Sequence, residues 1–172
     1  CLAEGSLVLD AATGQRVPIE KVRPGMEVFS LGPDYRLYRV PVLEVLESGV
    51  REVVRLRTRS GRTLVLTPDH PLLTPEGWKP LCDLPLGTPI AVPKCLPSSN
   101  LQLMSDAELG FIDERTGKLA QVVKSKTVAL LANSDVLWDP IVAVEPAGKA
   151  RTFDLRVPPF ANFVSEDLVV HN

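Results

Sequence analysis

Short apolar runs that alternate with charged residues and end in proline or glycine constrain this chain more than any other feature. SLVLD, MEVFS, YRLYRVPVLEVLE, VVRLRT, TLVLT, PIAV, IVAVE, RTFDLRV, NFV and DLVV are rich in Val, Leu and Phe. Their period of two reads as half-buried strands. The 16 prolines and 11 glycines fall mostly between these runs, as tight connections require and long helices forbid. The expected fold class is all-β with few helical turns.

Two internal similarities sharpen that expectation. VLEVLESGVREVVRLRT aligns with IVAVEPAGKARTFDLRV, so that Gly49 matches Gly148, Val45 matches Val144, Val54 matches Phe153, Leu56 matches Leu155 and Arg57 matches Arg156. RVPIEKVRPGMEV aligns with WKPLCDLPLGTPI, pairing Pro18 with Pro80, Ile19 with Leu81, Val22 with Leu84, Gly25 with Gly87 and Val28 with Ile90. A unit present twice suggests two related β-subunits packed together, since a solenoid needs three or more stacked copies.

The 172 residues, 45% hydrophobic and 23% charged, suit one globular domain with its own core. A net charge of -2 without a Lys/Arg run argues against nucleic-acid or anionic-membrane partners, which need concentrated positive charge. No apolar stretch approaches the roughly 20 residues that span a bilayer, and CLAEGSLVLD lacks the basic and apolar regions of a signal peptide. A soluble monomer is expected. Cys1, Cys82 and Cys95 are odd in number, and with two histidines they form no zinc-binding spacing. Neither a disulfide framework nor a metal or other cofactor is expected.

From Lys94 to Ser134 the pattern breaks, as PSSN, SDAELG, DERTGK and KSKT collect polar and turn-forming residues. The segment reads as a surface insertion with one short helix near Met104 to Phe111. One domain, 1–172, then comprises 1–93, the insertion 94–134, and 135–172. Trp78 and Trp138 are expected beside the core. Cys82, which aligns with Glu20, is expected to be a spacer there.

The ends carry the reactive groups, as if the segment were defined inside a longer polypeptide. A thiol at Cys1 can attack the carbonyl that precedes it and convert an amide to a thioester. With an ordinary pKa near 8.5 only about 3% is thiolate at pH 7, so a base or cation helps. In TLVLTPDHPLL, Thr67 and His70 leave a strand end together: the imidazole can protonate a departing nitrogen, and the hydroxyl can steady an oxyanion. Taken alone, that spacing also suits a solvated loop histidine. At the other end, the Asn172 side-chain nitrogen can attack its own main-chain carbonyl and close a five-membered imide, with His171 polarising that carbonyl. A terminal His-Asn alone also suits ordinary tail residues.

Together these residues resemble the splicing blocks of inteins, in the Hint (hedgehog/intein) family. CLAEGSLVL is similar to the first block, with its leading Cys as nucleophile. GRTLVLTPDHPLLTPEGW is similar to the second, whose Thr and His fall on Thr67 and His70. RTFDLRVPPFANFVSEDLVVHN is similar to the closing blocks, whose Asp, penultimate His and terminal Asn fall on Asp154, His171 and Asn172. The resemblance implies a flat horseshoe of two pseudo-twofold-related β-subunits with adjacent termini at its centre. It also implies self-excision that joins the flanking sequences, which are the partners, and a reducing, cytoplasmic setting that keeps Cys1 reduced.

One position departs from the blocks: Ala161 stands where many members carry a histidine that assists Asn cyclisation. The insertion is too short for the homing endonuclease of larger inteins, and LGFIDERTG echoes the endonuclease motif once, without its partner repeat. The rivals are a bacterial intein-like or other Hint domain that mainly cleaves, and a non-catalytic β interaction module. A hedgehog-type domain has no need of the terminal His-Asn.

Overall fold

The computed structural model describes residues 1–94 and 134–172. Their regular elements are strands, apart from two single 3-10 turns, η1 (Ile19–Lys21) and η2 (Leu81–Asp83). These turns occupy equivalent places in the second sequence repeat.

Two long antiparallel strands, β6 (Glu44–Thr58) and β11 (Val136–Arg156), form the spine. β7 (Thr63–Leu66) pairs with β6, and β10 (Pro89–Pro93) pairs with β11. β1 (Leu2–Ala3) bridges β7 and β11, so the chain's front end is held between a spine strand and the strand that flanks the other. A second sheet runs β3 (Arg16–Pro18), β2 (Leu7–Leu9), β12 (Asn162–Ser165), β13 (Leu168–His171), β8 (Pro71–Thr74) and β9 (Gly77–Pro80) in spatial order. β4 (Glu27–Leu31) and β5 (Leu37–Pro41) make a separate pair.

The repeats become a pseudo-twofold axis. Val45 faces Leu155 and Leu56 faces Val144, so exchanging the repeat partners maps one pair onto the other. The same holds for Glu47 facing Phe153 and Val54 facing Pro146. Loop bonds repeat too: Gly25 N donates to Val42 O at 2.9 Å and Gly87 N to Ile141 O at 2.7 Å. In the second sheet, the β2–β3 and β8–β9 hairpins flank the central β12–β13 pair.

Two sequence expectations change. YRLYRVPVLEVLE is not one strand, because Val42 and Leu43 turn away to bond Met26 O and Arg156 O. Conversely, IVAVE and RTFDLRV fuse into β11, and the glycine between them makes a bulge in a continuous strand. Gly148 and its repeat partner Gly49 adopt φ of 79° and 76°, a left-handed geometry that glycine takes without steric cost.

The main core joins both sheets, with Leu2, Leu56, Leu66, Leu72, Leu155 and Phe163 all 0% exposed. Burying each such side chain contributes about 1.5–3 kcal/mol. Trp78 and Trp138 pack beside a smaller cluster around Phe29, Leu73 and Val164, as expected. Cys82 is exposed, a correction: η2 turns Leu81 inward and leaves the next residue outside. Lys94 N donates to Asp135 O at 2.8 Å and Pro93 pairs with Val136, so the segments flanking the insertion close one sheet edge. The helix expected near Met104 to Phe111, the LGFIDERTG echo and Cys95 lie outside the described residues.

Candidate functional site

Buried Leu2 fixes Cys1. Leu2 pairs with Phe153 on one side and Leu66 on the other, and Thr67 N donates to Cys1 O at 3.0 Å. The Cys1 nitrogen stands where the peptide nitrogen of an upstream junction would sit. It lies 2.7 Å from His70 Nδ1, 3.2 Å from Thr67 Oγ1 and 3.9 Å from Asp154 Oδ2. Thr67 and His70 are held by the turn that follows β7, where His70 N donates to Thr67 O and Leu81 N to His70 O. At 2% exposure each, they are packed residues and not a solvated loop.

Burial sets the protonation states here. Loss of water, then the adjacent ammonium, then His171 push His70 down from 6.5 to about 3. The ring is therefore neutral at neutral pH, and Nδ1, facing an N–H donor, acts as the acceptor. The proton then sits on Nε2, which is buried and has no hydrogen-bond partner among the described residues. Burial likewise lowers the Cys1 ammonium, with Asp154 opposing it. Burial raises the Asp154 carboxyl, with the ammonium opposing. The Thr67 hydroxyl holds the Asp69 carboxyl below its usual range.

The back end reaches the same strand. Asn172 Nδ2 donates to Leu155 O, the residue after Asp154. Asn172 N donates to Ala161 O at 3.0 Å. His171 Nδ1 lies 2.6 Å from Asn172 O; a carbonyl oxygen only accepts, so Nδ1 carries the proton and donates it to this bond. His171 also meets the edge of Trp78, with ring centroids 4.9 Å apart. Asp154 and Leu155 thus touch the two ends of the chain from adjacent positions. All of the residues singled out in the sequence, Cys1, Thr67, His70, Asp154, His171 and Asn172, converge here.

Sequence reasoning missed three contributors. Trp78, expected only to pack beside the core, also meets the His171 ring. Ser48 Oγ lies 3.2 Å from Cys1 Sγ. Asn162, 3% exposed, accepts from Leu31 N at 2.6 Å and donates to Leu31 O at 2.8 Å and Phe160 O at 3.1 Å. This amide ties the loop bearing Ala161, and hence the Asn172 contact, to β4. Asn162→Ala leaves the Leu31 groups without these partners, so it should destabilise the fold by about 2–4 kcal/mol. A urea midpoint unchanged from wild type would contradict that.

Among the described residues no cluster of three or more His, Cys, Asp or Glu side chains could hold a metal. Among the described residues no helix is long and apolar enough to cross a membrane.

Known proteins match this arrangement. The chain is 36% identical over 120 residues to the replicative DNA helicase DnaB of Rhodothermus marinus, covering 68% of this chain and 13% of that protein. It is 39% identical over 120 residues to DnaB of Synechocystis sp., covering 68% and 14%. The chain therefore spans about one seventh of these relatives. A solved Ssp DnaB mini-intein variant superposes with a TM-score of 0.77 at 35% identity, covering 99% of this chain and 96% of that one. A DnaB intein from Synechocystis sp. PCC 6803 superposes at 0.73 with 29% identity, covering 99% and 96%. The family model of the intein splicing domain matches residues 9–172. With its all-β fold and both termini on one strand, the chain belongs to the intein splicing-domain family.

Proposed function

We propose that this chain excises itself through the six residues that converge on β11, joining the sequences on either side. Cys1 Sγ attacks the preceding carbonyl and takes the upstream segment as a thioester. His70 Nδ1, 2.7 Å from the nitrogen that departs, takes up the proton that the Cys1 thiol gives up and passes it to that nitrogen, and Thr67 supports the developing charge. A Cys, Ser or Thr after Asn172 then captures the upstream segment, with Asp154 organising both nucleophiles. Asn172 Nδ2 closes on the carbonyl polarised by His171 and releases the chain, and an acyl shift leaves a peptide bond between the flanks. Each chain acts once, because its own junctions are consumed.

The observation that carries this reading is the contact of consecutive residues Asp154 and Leu155 with Cys1 and Asn172. Orienting reacting groups contributes about 7–11 kcal/mol, whereas acid-base help adds about 3–5 kcal/mol. The β-scaffold therefore does most of the work. The chemistry exchanges peptide bonds, so it needs no cofactor, metal or second copy, and it suits a reducing, cytoplasmic compartment. One splicing domain, 1–172, with an insertion at 94–134, suffices. The helicase relatives support flanks belonging to a replicative helicase.

Expression between two unrelated tags, with Cys after Asn172, tests the reading. Ligated tags and free chain are expected under reducing conditions; an intact fusion would favour a passive module, and separated tags a cleaving Hint domain.

Ala161 offers no imidazole. Its φ of 56° is a left-handed geometry in which histidine is among the better-tolerated residues. Ala161→His should accelerate downstream release, by up to about 10²-fold for a positioned acid-base group. An unchanged or slower rate would show that the missing ring does not limit cyclisation.

A further inference from the structure

Cys1 has a neighbour that the roles above leave unused. The Ser48 hydroxyl, 3.2 Å from Sγ, stands on a bulge in β6. Gly49 pairs with Thr152 and Glu47 with Phe153, leaving Ser48 without a partner across the ladder. Gly49, at φ 76°, makes the bulge, and Thr152 Oγ1 seals it by donating to Gly49 O at 3.0 Å. A bulge re-aims a side chain out of the strand's alternation, and here it turns a hydroxyl towards sulfur.

The pseudo-twofold axis provides an internal comparison. The matching bulge lies between the Pro146–Val54 and Lys149–Glu52 pairs, with Gly148 at φ 79°. The residue equivalent to Ser48 there is Ala147. The backbone device is duplicated, but the hydroxyl occurs on the copy that faces the thiol.

We propose that Ser48 is a positioning residue for the Cys1 thiol, holding Sγ in its attack direction and favouring its ionised form. A hydroxyl can accept from S–H and, after rotating, donate to S⁻. The charge-assisted second bond is the stronger, so the contact favours thiolate. In the acyl shift, the S–C bond forms, the C–N bond breaks and the thiol proton ends on the freed amine; Ser48 neither gains nor loses one. The ionisable groups around this end are Glu47 and Arg51 of β6, Asp69 and His70 of the β7–β8 loop, Arg151 and Asp154 of β11, and His171 of β13. None of them is altered by a substitution at exposed Ser48.

The inference rests on Cys1 being the nucleophile, and the test separates the two. In an otherwise intact precursor carrying Asn172→Ala, N-terminal cleavage trapped by hydroxylamine is followed from pH 6 to 9.5. Peptide-mapped alkylation of Cys1 is read against exposed Cys82 in the same sample. Ser48→Ala should raise the apparent thiol pKa by about 0.7 unit, equivalent to about 1 kcal/mol, a typical net hydrogen bond. Cleavage at pH 7 should fall about two- to fivefold, because a more basic thiolate partly offsets its lower abundance. The gap should narrow above the thiol pKa, and Ser48→Thr should restore the wild-type profile. A superimposable profile, or an equal fall at every pH, would overturn the role of Ser48. Undiminished cleavage in Cys1→Ala would overturn the nucleophile assignment instead.

Discussion

Asn172→Ala abolishes release of the downstream segment and leaves the upstream junction open to cleavage by added thiol. The methyl side chain has no nitrogen to attack the carbonyl, so release falls to the background of peptide hydrolysis. The scaffold survives, because the main-chain bond from Asn172 to Ala161 O does not involve the side chain. Only the Asn172 Nδ2 bond to Leu155 O is lost, worth about 1 kcal/mol. Incubation of a purified precursor with and without thiol, read by gel, checks both halves. Undiminished downstream release would remove Asn172 from its assigned role.

His70→Ala should suppress thioester formation about 10²- to 10⁴-fold, the range of a positioned acid-base group. Hydroxylamine or thiol cleavage at the upstream junction reads this step directly, and wild-type sensitivity would exclude His70. The same residue has a signature in stability. Its pKa is about 3 in the fold against an ordinary 6.5, so below pH 6.5 the unfolded chain binds a proton that the folded chain does not. That contribution is complete above 6.5 and is lost as pH falls towards 3, at no more than about 1.4 kcal/mol per pH unit. Asp154, whose carboxyl is raised by burial, works in the opposite direction. Comparing urea midpoints of wild type and His70→Ala at pH 7 and 5 isolates the histidine: wild type should lose the more stability on acidification. Because the ammonium is the second cause of the shift, the effect should shrink in a precursor, where that nitrogen is an amide.

Cys1 and Asn172 were legible in the sequence because thioester and imide chemistry admit few residue types, whereas the spacing of Thr67 and His70 alone also suits a loop histidine and gained meaning from the block around it. Asp154 was legible only through its place in a resembling block, since a lone Asp in RTFDLRV announces nothing. The long spine strands were visible as a repeat, but their continuity was not: Gly49 and Gly148 look like turns, and in the fold the same left-handed φ serves a bulge. β8 and β9 were missed because each carries proline at one end and a core-facing run too short to show a period. Ser48 and Asn162 escaped for a different reason. Their partners lie 47 and 131 residues away, and only folding brings a bulge to the thiol or a buried amide to β4.

Intact-mass measurement of a purified precursor over time tests most directly whether the two ends act together. Splicing yields one product carrying both flanks joined, alongside an excised chain one water lighter than a chain ending in free asparagine, the mass of the C-terminal imide. Separate flanks with an excised chain of the hydrolysed mass would contradict it.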